Sequence, residues 1–235
     1  MSVLSSCWRA LKSYRKYPVG STVLVHIGKC GGRTLKDGIE HARQNTTVRP
    51  VHVKKPPHRR DLKYIIVARN PISRAFSAFR WRYKLVVTKG SQRDRFPGEH
   101  DVLVKYGTLN ALAEALYTKE GTPNPAAHHE FESIHHLREN ISFYLRELLD
   151  ECDPDQIVSV LMQENLDEDI RRTFGYENQL RKHVNPARRA ESDLSTRGKA
   201  NLVRYLAADF EALTRLFCWG KLDPEIYRGI TASAR

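Results

Sequence analysis

Lys29, Arg33 and Thr34 sit among three glycines, Gly28, Gly31 and Gly32, in the stretch STVLVHIGKCGGRTL (Ser21–Leu35). Glycines let a backbone close on a ligand without interference from a Cβ. A glycine-rich turn that opens a helix also gathers unpaired N–H groups and the positive end of a helix dipole around one point. Lys29 adds a mobile cation, and Arg33 and Thr34 add side-chain donors. The chemistry these residues suit is anion binding. The nucleotide-triphosphatase pattern G-x-x-x-x-G-K-[ST] is not met, because the lysine precedes the paired glycines and no Gly-Lys-Ser/Thr occurs. The expectation is an anion held without a Mg²⁺-triphosphate arrangement; the alternative is an ordinary strand-to-helix turn that carries a lysine.

Histidines are the next reactive group. His52 closes a short extended piece, TVRPVHV (Thr47–Val53), and should stand over the same sheet edge as Lys29. A neutral imidazole there can take a proton at physiological pH; a hydrogen-bonding histidine in the packing is the plainer alternative. Further on come His128, His129, Glu130, Glu132, His135 and His136. On one helix, His128, Glu132 and His136 would share a face at i, i+4 and i+8. H-E-x-x-H fails because Ser133 holds the last place, so no metal is expected. The run reads as solvated helix surface or as an acceptor-facing wall, in which His136 or Glu132 could be the base instead. Lys182, His183, Asn185 and Arg188 form a basic loop that could close over a bound cofactor, or be merely solvated. The basic run Lys54, Lys55, Arg59 and Arg60 is open to the same two readings.

The elements that must position these groups alternate. Ser21–Ile27 and Leu62–Ala68 are apolar, β-branched runs of the kind found in buried strands, and Gln156–Leu161 is a further core strand. Helices are expected over 33–43, Ile72–Val87, Leu109–Tyr117, Ala126–Leu149, Glu164–Phe174 and Leu194–Trp219, the last with Ser195 as N-cap. Lys89–Gly98 reads as a polar loop. Phe76, Phe79, Trp81 and Tyr83 read as core rather than as a stacking platform. The pattern is that of an α/β fold: a central parallel sheet flanked by helices in three layers. One domain is expected over residues 1–235, with an N-terminal helix or arm at 1–20 and a helical, acceptor-side insert at 89–150.

Composition narrows the class. The formal net charge of +12 draws phosphate- or sulfate-rich partners. Four cysteines without a C-x-x-C signal neither a zinc site nor a disulfide framework, and no run of 18 apolar residues suggests a transmembrane segment. The N-terminus does not follow signal-peptide order, so a cytoplasmic location is expected.

Two stretches together carry a resemblance. HIGKCGGRTL (His26–Leu35) resembles the 5′-phosphosulfate loop of sulfotransferases that use 3′-phosphoadenosine 5′-phosphosulfate (PAPS), in the form H-I-P-K-[TC]-G-G-[TS]-[TS]-L usual in the carbohydrate-acting, 2-O-sulfotransferase-like branch. IIVARNPISRAFSAF (Ile65–Phe79) resembles that family's 3′-phosphate site, a strand running into R-[DN]-P-x-x-R-x-x-S. A fainter echo covers His183–Asn185, Leu194–Ser195 and Tyr205–Phe210. Gly28 stands where proline is usual, and Arg33 where threonine or serine is usual.

The resemblance implies a P-loop-like fold and PAPS as cofactor, leaving as adenosine 3′,5′-bisphosphate. It implies cofactor contacts from Lys29, Cys30, Gly31, Gly32, Arg33, Thr34, Arg69 and Ser77, with Asn185 and Arg188 from the basic loop. It also implies that Lys29 neutralises the leaving phosphate and His52 deprotonates the acceptor hydroxyl. The residues themselves agree that both corners should lie at the C-terminal ends of adjacent parallel strands, and that the Arg69 fork suits phosphate, a structural salt bridge being the alternative. The function expected is sulfonate transfer to a carbohydrate or glycolipid-type acceptor near His128, Glu132 and His136. Its rivals are a phosphoryl-transfer enzyme, for which no Mg²⁺ ligands are found, and a non-catalytic module for anionic glycan or nucleic acid. Nucleic acid is disfavoured because the cations sit at two corners, not along a stripe interleaved with aromatics.

Overall fold

A computed structural model of the chain describes residues 14–31, 48–175 and 194–234. Four parallel strands form one sheet in the order β2-β1-β3-β4: β1 (Thr22–His26), β2 (Val48–His52), β3 (Lys63–Ala68) and β4 (Ile157–Met162). All of β3 from Tyr64 to Ala68 is buried, as a strand covered on both faces must be, and its sequence KYIIVA reads accordingly as a nearly unbroken apolar run. The register pairs His26 with both His52 and Val67. The ends of β1, β2 and β3 therefore lie side by side.

Helix α1 (Pro71–Tyr83) leaves β3 through a tight corner and continues into a π-helical turn, Lys84–Thr88. Asn70 caps it, its side chain accepting from Ile72 N at 2.9 Å and Ser73 N at 3.2 Å, and Pro71 occupies the first position. Then follow α2 (Glu99–Tyr106), α3 (Leu109–Ala115), α4 (Pro125–Ser133) and α5 (Ile141–Glu151) before the chain enters β4. After β4 come α6 (Leu166–Phe174), α7 (Thr196–Tyr205), α8 (Ala207–Cys218) and α9 (Pro224–Ser233).

Two apolar cores result. The first joins the sheet to α5, α6, α8 and α9; the second joins α1 to α2, α3, α4 and α7. Within the stretch 89–150 expected as an insert, α5 belongs to the sheet core through Ile141, Tyr144, Leu145, Leu148 and Leu149. Among the described residues no helix is long and apolar enough to cross a membrane.

The single histidine-rich helix expected over Ala126–Leu149 is two helices with a turn between them. Ile134 leaves the helix in an extended conformation and His136 is left-handed, with φ +68°. Asn140 then caps α5, accepting from Phe143 N at 2.8 Å. Partners from elsewhere hold the break: Glu99 accepts from the His135 N–H (2.9 Å), Glu139 from the His136 N–H (2.7 Å), and Arg74 donates to the His136 carbonyl (2.6 Å). The long C-terminal helix is likewise divided at Leu206, and Ser195 caps α7 as expected, accepting from Gly198 N at 3.0 Å.

Candidate functional site

The loop after β1 is shaped by positive dihedrals. Lys29 is left-handed at φ +74°, an uncommon conformation for a residue with a side chain, and Gly31 follows at φ +92°. A Cβ on Gly31 would lie 2.7 Å from Leu166 Cδ2 and would be strained at this φ in any case, so glycine suits the turn. A Cβ on Gly28 would lie 2.9 Å from His136 Nδ1. The imidazole of His136 fills the space that a proline would need, which gives a physical reason for glycine at this place. Cys30 points into the core, where burial pushes its thiol up to about 12, and its N–H donates to the Ile27 carbonyl at 3.3 Å. Its Sγ faces the Gly28 carbonyl at 3.9 Å.

The corner after β3 meets this loop directly. Arg69 is buried, 7% exposed, and its Nη1 donates to the Lys29 carbonyl at 3.4 Å. Burial lowers its pKa, and among the described residues no carboxylate lies at ion-pair distance from it. The Cys30 thiol and the Glu164 carboxyl act on the guanidinium electrostatically and partly offset its burial. Glu164, from the turn after β4, accepts from the Asn70 N–H at 2.9 Å, and burial raises its own pKa. Asn70 Nδ2 donates to Ser233 Oγ of α9 at 2.6 Å. Ser77 is half-buried on α1, two turns beyond the corner. Phe76 and Phe79 are core, whereas Trp81 is half-buried and carries the Lys29 ammonium 4.4 Å from its ring centroid.

The in-register pair His26 and His52 stacks, with ring centroids 4.5 Å apart. His52 Nδ1 lies 3.1 Å from the His26 carbonyl. A carbonyl only accepts, so the proton of that bond sits on Nδ1, and in the neutral form of the ring Nε2 is the acceptor. The His136 ring lies 6.4 Å from His52, and the His135 ring 4.1 Å from His136. Four imidazoles thus run along the ends of β1 and β2, next to Lys29. Sequence reasoning took His26 only as part of a motif; its role as the platform under His52 follows from strand register.

His128, Glu132 and His136 do not share a face. The His128 ring packs edge-on against Tyr117 and Tyr205, with Nε2 3.0 Å from the Leu116 carbonyl. Glu132 is exposed and accepts from Tyr205 Oη at 3.3 Å at the edge of a cleft of about 300 Å³ that also holds Lys55, Arg138 and Arg146. Of the three, only His136 reaches the strand ends. His135, His136 and Glu139 bring ligand atoms within 4.8 Å of one another. The carboxylate of Glu139 is already taken up by His135, the His136 N–H and Arg138. Burial pushes that carboxyl up, but these donors outweigh it and hold it far below the usual range. With Lys29 and Arg74 acting on His136 as well, the surroundings favour an anion over a divalent cation. Gly32, Arg33, Thr34, Asn185 and Arg188, with the first crossover helix (33–43), the basic loop (178–189) and most of the N-terminal arm, lie outside the described residues.

Burial, reinforced by His52, lowers His26 to about 4; burial, with His135, Lys29 and Arg74, lowers His136 to about 3. Both rings stay neutral in the fold, while in the unfolded chain they protonate near 6.5. The stability they contribute is complete above that pH, falls as the pH drops through the interval, and levels off below the folded values. Urea midpoints measured from pH 7.5 to 4 should decline, and His26→Gln with His136→Gln should flatten the decline. An unchanged slope in the double variant would remove these rings as its source.

Comparison of the chain with family models, curated proteins and solved structures finds no match. What the site can do therefore rests on its own residues. It brings Lys29 and the buried Arg69 together at two adjoining corners, with the exposed imidazole of His52 on the same sheet edge.

Proposed function

We propose that the chain is a PAPS-dependent sulfotransferase with a P-loop-like core, transferring sulfonate to a hydroxyl of a carbohydrate or glycolipid-type acceptor. One observation carries this reading: the loop after β1 and the corner after β3 adjoin, with Arg69 reaching the Lys29 carbonyl. A doubly phosphorylated nucleotide could then be gripped at both ends on one sheet edge, outside the carboxyl ends of the strands. The buried guanidinium fork of Arg69 suits a 3′-phosphate, with Ser77 further along α1. PAPS supplies an activated sulfonate whose bond to phosphate is ready to break.

The chain's own groups supply the rest. Lys29 neutralises charge that builds on the leaving oxygen, as cations do in phosphoryl transfer. His52 takes the acceptor proton on Nε2 while the His26 carbonyl holds Nδ1–H. The strand register fixes both groups at one edge, which supplies positioning.

Calorimetry with adenosine 3′,5′-bisphosphate, ATP and heparin, each without Mg²⁺, tests this reading against its rivals. The bisphosphate should bind in preference to the other two. Losing a charge-assisted contact costs about 10- to 150-fold in affinity, so Arg69→Ala should weaken bisphosphate binding by that order. Unchanged affinity would remove Arg69 from the site.

A further inference from the structure

The cleft of about 300 Å³ beside Glu132 falls within the size of small-molecule sites. Its walls follow the histidine row in sequence. Lys55 comes three residues after His52. Arg138 comes two residues after His136, whose ring is 6.4 Å from His52. Phe143 and Arg146 of α5 and Tyr205 of α7 supply further walls.

The chain as a whole carries a formal charge of +12, but this cleft does not share it. Lys55 pairs with Glu147, and Arg138 is held by Glu139 through Nε at 3.0 Å and Nη2 at 2.8 Å. Arg146 and Glu132 remain, one charge of each sign. Among the described residues, the three cations of the cleft are therefore matched by three carboxylates in or beside it. A carboxylated or sulfated ligand would meet the exposed Glu132 and Glu147, and like charges brought together cost affinity. A ligand rich in hydroxyls and free of charge suits both signs, because it donates to carboxylates and accepts from guanidinium groups.

The two aromatic side chains are held in place by other rings. Phe143 meets the buried Tyr144 edge-on, with centroids 5.1 Å apart. Tyr205 packs against Phe131 at 4.5 Å and His128 at 4.8 Å. Both rings are set before a ligand arrives, which reduces the ordering that binding must impose. Aromatic faces beside a few polar groups suit the C–H face and hydroxyl rim of a pyranose.

We propose that this cleft binds an uncharged pyranose and selects against carboxylated or sulfated sugars. The ring lies against Phe143 and Tyr205, and its hydroxyls are shared between Glu132 and Arg146. The sugar preference stands on the cleft alone; that the sugar is the sulfonate acceptor rests on the sulfotransferase reading.

Ligand-observed saturation-transfer NMR on the full chain tests this. Methyl β-D-galactopyranoside and methyl β-D-glucopyranoside are set against methyl β-D-glucuronide and D-galactose 6-sulfate. The neutral glycosides should bind about tenfold more tightly than the charged ones, or better. Glu132→Lys should weaken the neutral pair and strengthen the charged pair. Phe143→Leu, with folding checked by its urea midpoint, should remove saturation transfer to the neutral sugars. Arg146→Gln, at an exposed position, should weaken the same sugars without disturbing the core. Charged sugars that bind as well as neutral ones overturn the proposal, as do neutral sugars whose binding none of these variants changes. So does an absence of binding by both neutral glycosides. If Glu132→Lys and Arg146→Gln weaken neutral-sugar binding in a chain that does not bind adenosine 3′,5′-bisphosphate, the sugar site stands and the sulfotransferase reading falls.

Discussion

Replacing His52 with alanine is expected to lower the proposed sulfonate transfer by about 10² to 10⁴-fold, the range lost with a positioned general base, while leaving bisphosphate affinity unchanged. Binding and chemistry should separate because His52 stands on β2, with β1 between it and the Arg69 corner, and packs on His26 through its ring and the His26 carbonyl. His52→Gln sharpens the test. A glutamine amide can still donate to that carbonyl and hold its place, but it cannot accept a proton at neutral pH, so it should be as inactive as alanine. Activity close to wild type in either variant would pass the role to His136, whose ring lies 6.4 Å away. That alternative is chemically harder: His136 is largely buried and its pKa is lowered to about 3, which makes it a weak base.

Arg74→Met should produce the largest loss of stability, about 3–5 kcal/mol, the usual cost of removing one partner from a buried charge network. Arg74 is 1% exposed and donates to the carbonyls of His136 and Glu139. It also acts electrostatically on Asp209, a fully buried carboxylate that accepts from the N–H groups of Ile141 (3.2 Å) and Ser142 (2.8 Å) at the start of α5. Methionine fills similar volume, so the loss would report charge and hydrogen bonds, not a void. Two carbonyls and one carboxylate would be left without their cation. Urea unfolding measures the effect, and Asp209→Asn in the same chain should recover part of it, because the two groups are coupled. A single variant within about 0.5 kcal/mol of wild type, the range of ordinary surface changes, would show that the 134–140 turn stands without Arg74.

Arg74 also illustrates where sequence reading stops. It occupies the second arginine position of the R-[DN]-P-x-x-R pattern, yet nothing local says that it points inward to carbonyls more than sixty residues away. Strands were legible because LKYIIVA and TVLVHI are dense in β-branched residues, and the corner at Asn70–Pro71 was legible because cap and proline chemistry are local. The break at Ile134–Asn140 was not. It is fastened by Glu99, Arg74 and Glu139, and only Asn140, a cap residue ahead of the apolar run ISFYLRELL, hinted at a new helix start. Helix α2 escaped notice for a related reason: its buried Glu99 reads as surface until Arg82 is placed against it at 2.6 Å. The two corners were readable from the sequence and expected at the ends of adjacent parallel strands, and β1 does lie beside β3 in the sheet.

The bond from Asn70 to Ser233 has a practical reach. It ties the closing turn of the last helix to the residue next to Arg69, although the two are far apart along the chain. Losing the Ser233 hydroxyl, by Ser233→Ala, would therefore loosen the Arg69 corner from a distance.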